Sequence, residues 1–526
     1  MSTRRIVNII NFIRYDEPRV PALDLFEPVR EQMRLLKAHG LTCTWLLQFD
    51  ALVAGPYVDF LKAEMPPTHE VGLWFEINRM HCEAAGIPFR GRPGLNWDYH
   101  SRAALSIGYT PAEREKLADV AVARFTALMG HAPRSVAAWY IDAHTLAYLA
   151  ERHGIVASAN CKEQYGTDGY TVWGGLWSGG YYPSRRNALC PAQTQAAQIR
   201  LPVFRMLGAD PIYQYDLHLG QASQGVVSLE PSYTESGRSL SWVQRYLDII
   251  EQAPCLALAY AQAGQENSFG WAAMGAGLKM QFAEIARRRQ AGRLEAECLG
   301  DTGAWFAAQH ATTPAQAQVA LTDTFGSERR TVWYHSRYYR ANLLMHGNAL
   351  SLRDVHIFDE GYAEPYLRDT CPGAAMRVDT LPVLDGYCWS NAEHRARGVW
   401  SAVLADGHTE RLSIAGPATV EEPTAHDLRV IVPVQPVGAL VFEFGERGLV
   451  THLRDSPQAL ALQLDLELPN GTAETELALQ DGVLVLQHHG HRYTVRTDGA
   501  LARWPGRVVC RGAVSGLTLD LGGSAR

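Results

Sequence analysis

RIVNIINFIRYDEPRVPALDLFEPVREQMRLLKAHGLTCTWLLQF, residues Arg5 to Phe49, reads as one strand–helix–strand unit. Arg5 to Ile13 is an apolar run of strand length. Asp24 to His39 reads as a helix, with Asp24 as the capping residue and Gly40 as the stop, and Leu41 to Phe49 is the next strand. The unit repeats down the chain. Glu70 to Phe75, Ser135 to Ile141, Ile155 to Asn160, Leu201 to Leu207 and Cys255 to Tyr260 read as strands. Helices are expected over Thr110 to Met129, opened by Thr-Pro, and Ala143 to His153, ended by Gly154. Strands alternating with helices predict a parallel sheet, and this many units over roughly 300 residues predict closure into a (β/α) barrel. The fold class expected is therefore α/β: a (β/α) barrel followed by an antiparallel β domain.

The pattern changes near Gly398. Stretches such as DLRVIVPV, ALVFEFGERG and ALQLDLELPNG alternate apolar and polar residues between turns, as antiparallel strands do. The division expected is a catalytic barrel over 1–310, a helical and irregular segment over 311–397 packed on it, and a β-sandwich over 398–526. No repeat of 20 to 50 residues suggests a propeller or solenoid.

The chain has 526 residues, 47% hydrophobic and 20% charged, which is ordinary globular composition. Its formal charge of -7 supplies no basic footprint for nucleic acid or an anionic membrane, so neither is an expected partner. No apolar run approaches the length of a membrane span, and the start of the chain lacks a cleavage-site pattern; a cytoplasmic location is expected. The nine cysteines form no CxxC pair and stand mostly in apolar stretches, as reduced core residues do. No GxGxxG or Walker motif follows a strand, so no nucleotide cofactor is expected.

Barrel enzymes carry their chemistry at the C-terminal ends of strands. That rule selects Arg14, Asp16 and Glu17 after the first strand, Gln48 and Asp50 after the second, and Trp74 and Glu76 after the third. It also selects Asp142 and His144, Asn160 with Lys162 and Glu163, and Arg205. Helix capping is the alternative for Asp142. Loops dense in glycine and aromatics, as in Gly166 to Asn187, suggest a sugar-binding rim offering Trp173, Trp177, Tyr181 and Tyr182. The cluster His488 to His491 reads as exposed decoration of the β domain.

THEVGLWFEIN, Thr68 to Asn78, resembles the H-E-x-G-x-H-x-x-x-H signature of polysaccharide deacetylases of the NodB type, whose histidines hold a metal. Trp74 and Asn78 occupy the two later ligand positions, and neither indole nor a lone amide serves a transition metal well. The resemblance therefore implies that barrel without its metal. Together with NFIRYDEPR, TWLLQFDAL, SVAAWYIDAH and FRMLGADP, the pattern also resembles the sialidases of glycoside hydrolase family 156. That resemblance implies an inverting exo-sialidase without metal or other cofactor, acting on sialylated glycans, with a histidine as acid and an aspartate as base. Asp16 and His144 match those roles best; His100 and His131 are alternative acids. Arg14, Trp74, Glu76, Asp142, Arg205 and Asn348 complete the substrate-binding candidates, with Arg205 or Arg14 expected to hold the substrate carboxylate. A homodimer is left open. Another metal-free glycosidase on this barrel, a deacetylase-like hydrolase, and a non-catalytic carbohydrate-binding protein are the competing readings.

Overall fold

The computed structural model describes residues 3–323, 325–468 and 475–523. Eleven strands build the first half: β1 (Arg4–Ile13), β2 (Thr44–Leu47), β3 (Glu70–Trp74), β4 (Ser135–Ala137), β5 (Ala157–Asn160), β6 (Gln164–Thr167), β7 (Tyr170–Trp173), β8 (Gly180–Tyr181), β9 (Val203–Arg205), β10 (Leu258–Ala263) and β11 (Glu295–Glu297). The order β10-β1-β2-β3-β4-β5-β9 is parallel throughout, and β8 closes the β9 edge antiparallel. β1 is the hub. It pairs with β10 along Arg4 to Ile9, while its other edge takes β11 at Ile6 to Asn8 and β2 at Ile10 to Ile13.

The sheet curls almost into a closed barrel, with one seam between β9 and β10. No ladder joins those strands; Leu207 N donates to Gln262 Oε1 at 2.8 Å and the Phe204 and Tyr260 rings lie 5.1 Å apart. Helices cover the outside, so the strands are buried on both faces and read as nearly continuous apolar runs. Gly72 in β3 is required by a close approach: a Cβ there would stand 2.5 Å from the Ser135 carbonyl oxygen. The expected helices form with their end signals. Thr110 and Glu113 make a reciprocal capping box before Pro111–Met129, and Gly154 ends Ala143–His153 in the left-handed conformation.

The stretch 311–397 departs from the helical and irregular segment expected. It holds β12 (Gln316–Ala320), β13 (Arg329–His335), β14 (Tyr339–His346), β15 (Ala349–Ile357), β16 (Met376–Asp379) and β17 (Leu381–Asp385). β12 to β15 run antiparallel and continue through β18 (Arg397–Leu404) into a ten-stranded sheet. The reason lies in the arginines. Arg340 and Arg353 are buried in these strands, paired with Asp354 and Glu163 and with Asp216, so polarity no longer marks the solvent face. A second antiparallel sheet, built from strands between 413 and 520, faces the first across one core containing Leu352, Trp400, Phe442, Leu464, Leu486 and Leu519. β16 instead pairs parallel with β7.

Two further expectations change. The aromatic rim is interior: Trp173, Trp177, Tyr181 and Tyr182 are buried, and Trp177 stacks on Trp333 at 4.0 Å where barrel and β-sheets meet. The cluster His488 to His491 is surface decoration only in part: His489 is exposed and His491 partly so, but His488 is buried and bonded to Asp379. All nine cysteines are free, as expected. Among the described residues no helix is long and apolar enough to cross a membrane.

Candidate active site

β1 delivers Arg14 to the top of the barrel, where its side chain is 2% exposed. Its guanidinium faces three carboxylates. Glu76 from the loop after β3 lies at 2.7 Å, Glu266 from the loop after β10 at 3.2 Å, and Glu17 at 3.6 Å. Trp97 covers the group, its ring centre 4.2 Å from Cζ, and Trp74 donates its indole N–H to Glu76 Oε2 at 2.9 Å. Trp74 is itself stacked on Phe12 at 4.0 Å.

One buried cation among three buried carboxylates leaves a charge imbalance that protonation relieves. Burial pushes the Glu266 carboxyl up to about 7; Arg14 works against this and the neighbouring Glu76 and Glu17 reinforce it. Glu17 goes the other way, because hydrogen bonds and charge from Arg19 and Arg14 outweigh its burial and hold it below the usual value. Asp50, after β2, is likewise buried and raised to about 7, although the amides of Ala51 and Tyr15 donate to it. Asn96 binds its other oxygen at 3.1 Å. Asp16 is half-buried at the same mouth and is raised by burial and by Glu17. Glu76 Oε1 and Trp97 Nε1 are buried without a hydrogen-bond partner, an acceptor and a donor left over around Arg14.

A second polar group follows β5 and β9. Lys162 Nζ meets Glu230 at 2.8 Å, and Ser228 donates to the same oxygen. Arg205 reaches Asn160 Oδ1 at 3.3 Å and Glu163 at 3.4 Å, and Glu163 is shared with Arg340 at 2.6 Å.

Of the residues selected from sequence, Arg14, Trp74, Glu76 and Asp16 gather in this region. Arg205 belongs to the second group. The others are placed differently. Asp142 caps the helix Ala143–His153, accepting from the Thr145 amide and hydroxyl and pairing with buried Arg114 at 3.0 Å, so its oxygens are occupied. His144, in that helix, turns toward Glu115 of Pro111–Met129 at 3.0 Å, and no described contact joins it to Asp16. Asn348 is exposed in the turn between β14 and β15, in the sheet region, where its carbonyl receives the Ile414 amide. His131 is exposed before β4, at the opposite end of the barrel from the strand C-termini. His100 is half-buried beside Asp98 and packs edge-on against Tyr99. Glu266 and Trp97 were not selected. The strand read as Cys255 to Tyr260 runs instead over Leu258–Ala263, and the strand-end rule applied to the true end reaches Glu266.

The deacetylase metal does not fit these residues. His69 stands at the beginning of β3, at the far end of the strand from Trp74, and both its ring nitrogens are engaged, by Trp45 Nε1 and the Leu41 carbonyl. Asn78 caps the helix Arg79–Ala85 through the His81 amide. Among the described residues, the groups of histidine and carboxylate close enough to share an ion lie in 354–489, none of them at the barrel strand ends.

A family model described as a domain of unknown function with solved structure, DUF3863, matches residues 109–284, about a third of the chain. No curated protein matches the sequence. A solved structure from Parabacteroides distasonis, provisionally described as a glycoside hydrolase/deacetylase, superposes with a TM-score of 0.54 at 15% identity, covering 72% of this chain and 90% of its own. Provisionally described polysaccharide deacetylases from Mycobacterium smegmatis and Pseudomonas aeruginosa give TM-scores of 0.36 and 0.35 at 10% and 14% identity, each over 59% of this chain and 92% and 93% of their own. The barrel-like sheet thus resembles the deacetylase-type fold, with antiparallel sheets added in the C-terminal part.

Proposed function

We propose that the protein is a carbohydrate-active hydrolase that cleaves glycosidic bonds at the strand ends around Arg14, with Glu266 as general acid and Asp16 as its carboxylate partner. The observation that carries this reading is the buried Glu266 carboxyl, held near 7 among Arg14, Glu76 and Glu17 at the catalytic end of a barrel. A carboxyl in that range is still protonated near neutrality and can give its proton to a departing glycosidic oxygen. Asp16 is part-exposed, so water and substrate reach it.

The substrate favoured is a neutral sugar. A sialoside, which the family 156 resemblance implies, brings a carboxylate into a region already holding Asp16, Glu17, Asp50, Glu76 and Glu266. Arg14 is committed to three carboxylates, and Arg205 holds Glu163 and Asn160 with only Nε left over, so neither guanidinium presents two unengaged donors side by side. The His144 acid of the sialidase reading would act from the helix layer.

The test is turnover of a panel of aryl glycosides that includes a sialoside, with the product anomer followed by NMR. The anomer decides whether Asp16 activates water or attacks the sugar. Glu266→Gln should lower the rate on a poor leaving group by about 100- to 10,000-fold and recover part of it on a nitrophenyl glycoside, whereas Asp16→Asn should lose both. Wild-type activity should decline on the alkaline side as a group near 7 titrates, a limb absent in Glu266→Gln. Unchanged rates in Glu266→Gln remove the assignment, and binding without turnover of any sugar leaves a lectin-like protein.

A further inference from the structure

The hairpin of strands Val483–His488 and His491–Thr497 turns through His489 and Gly490, both at positive φ (45° and 79°). Two positive φ values make a two-residue turn of the type that asparagine–glycine serves best. A histidine at this position sends its imidazole beside that of His488, ring centres 4.1 Å apart. Both face Asp379, the last residue of β16. His488 Nε2 is 3.1 Å and His489 Nε2 3.6 Å from the same oxygen, Oδ2. Ligands on a tetrahedron with bonds of about 2.0–2.2 Å stand about 3.3–3.6 Å apart; the two nitrogens stand at about that spacing from Oδ2, and all three atoms lie within 4.8 Å of one another, close enough to share one ion.

The surroundings complete the pattern. Asp379 and His488 are buried, while His489 is 42% exposed and leaves one side open to an arriving ion and a water. Each buried ligand has an outer partner: Thr475 Oγ1 lies 2.8 Å from His488 Nδ1, and Tyr362 donates to Asp379 Oδ1 at 2.9 Å. When a cation replaces the Nε2–H hydrogen bond to Asp379, Thr475 can accept from Nδ1–H and leave the His488 Nε2 lone pair facing the ion. Arg377 Nε binds Oδ2 at 3.0 Å and takes its remaining lone pair. The other cluster of this kind, Asp354, His356 and Asp385, differs: it is fully buried, and Arg340 grips both oxygens of Asp354.

We propose that Asp379, His488 and His489 bind one zinc ion, which ties the C-terminal hairpin to β16 and, through its ladder, to β7 in the loops above the barrel. Two imidazoles and a carboxylate with an open fourth position suit zinc rather than calcium or magnesium. The site is separate from the carboxylates around Arg14.

The test uses the whole chain, stripped with a chelator and dialysed. Zinc chloride should titrate calorimetrically to one ion per chain, and cobalt(II) should develop the strong visible absorption of a tetrahedral complex. His489→Asn keeps a residue suited to the turn, so it should fold like wild type yet bind zinc more than about tenfold more weakly, beyond the lower bound for loss of even a supporting partner. At the same zinc concentration the melting temperature of wild type should rise more than that of His489→Asn. Equal zinc affinity in the two proteins, or no uptake of either ion by stripped wild type, overturns the proposal.

Discussion

Burial governs the protonation of the carboxyls around Arg14 more than the guanidinium does, and that control has a measurable consequence. Glu266 and Asp50 are both held near 7, above their ordinary values of 4.5 and 3.8. Each carboxyl therefore binds its proton more tightly in the folded chain than in the unfolded one. The stabilisation is fully present below about pH 4 and is lost as pH rises through 7. Urea unfolding at about pH 5 and about pH 8 should show wild type losing stability across this interval, and Glu266→Gln, which no longer titrates, losing less. A variant with the same pH slope as wild type would mean that Glu266 is already ionised at the lower pH. Arg14, Trp74 and Glu76 were legible in sequence because each directly follows or ends an apolar run that is a true strand. Trp97 was not, since it reaches Arg14 from a loop between helices, with no periodic signal of its own.

At the level of single elements, the helix Ala143–His153 separates two roles that sequence position alone left open. Asp142 binds the first-turn amide, the Thr145 hydroxyl and the guanidinium of Arg114, all in the interior. Asp142→Ala should destabilise the fold by about 3–5 kcal/mol, since it strands a buried arginine as well as removing a cap. His144, on the side facing Glu115, is 31% exposed, and His144→Ala should change stability by no more than about 0.5 kcal/mol. If Glu266 is the acid, His144→Ala also keeps wild-type turnover on poor leaving groups; a large loss there would restore the sialidase assignment. Strand boundaries were less legible than strand existence. The run Ser135 to Ile141 is apolar to its end, yet the ladder stops at Ala137, because Ala138, Tyr140 and Ile141 are buried in a loop and not in the sheet. Hydrophobicity reports burial, and only hydrogen bonding defines where a strand ends. In 316–357 the converse holds: buried ion pairs supplied polar residues on inward faces and masked the alternation.

Across the whole molecule, barrel and β-sheets are joined by aromatic packing, with Trp177 stacked on Trp333 and Trp173 tilted against Tyr215 and Tyr387. Trp177→Ala should cost about 3–5 kcal/mol. Calorimetry should show that loss in one shared transition, whereas an early transition of the β-sheets alone would mean that the two parts fold independently. The position of β1 at the hub of the sheet also bears on how the chain is made. Arg4 finds its ladder partner at Leu258, and Ile6 finds Glu295. At translation rates of about 5–20 residues per second, roughly 10–50 s separate the emergence of the first strand from that of its neighbour. During that interval one edge of a ten-residue apolar strand has no mate, and it is there that a nascent-chain chaperone would find its binding segment.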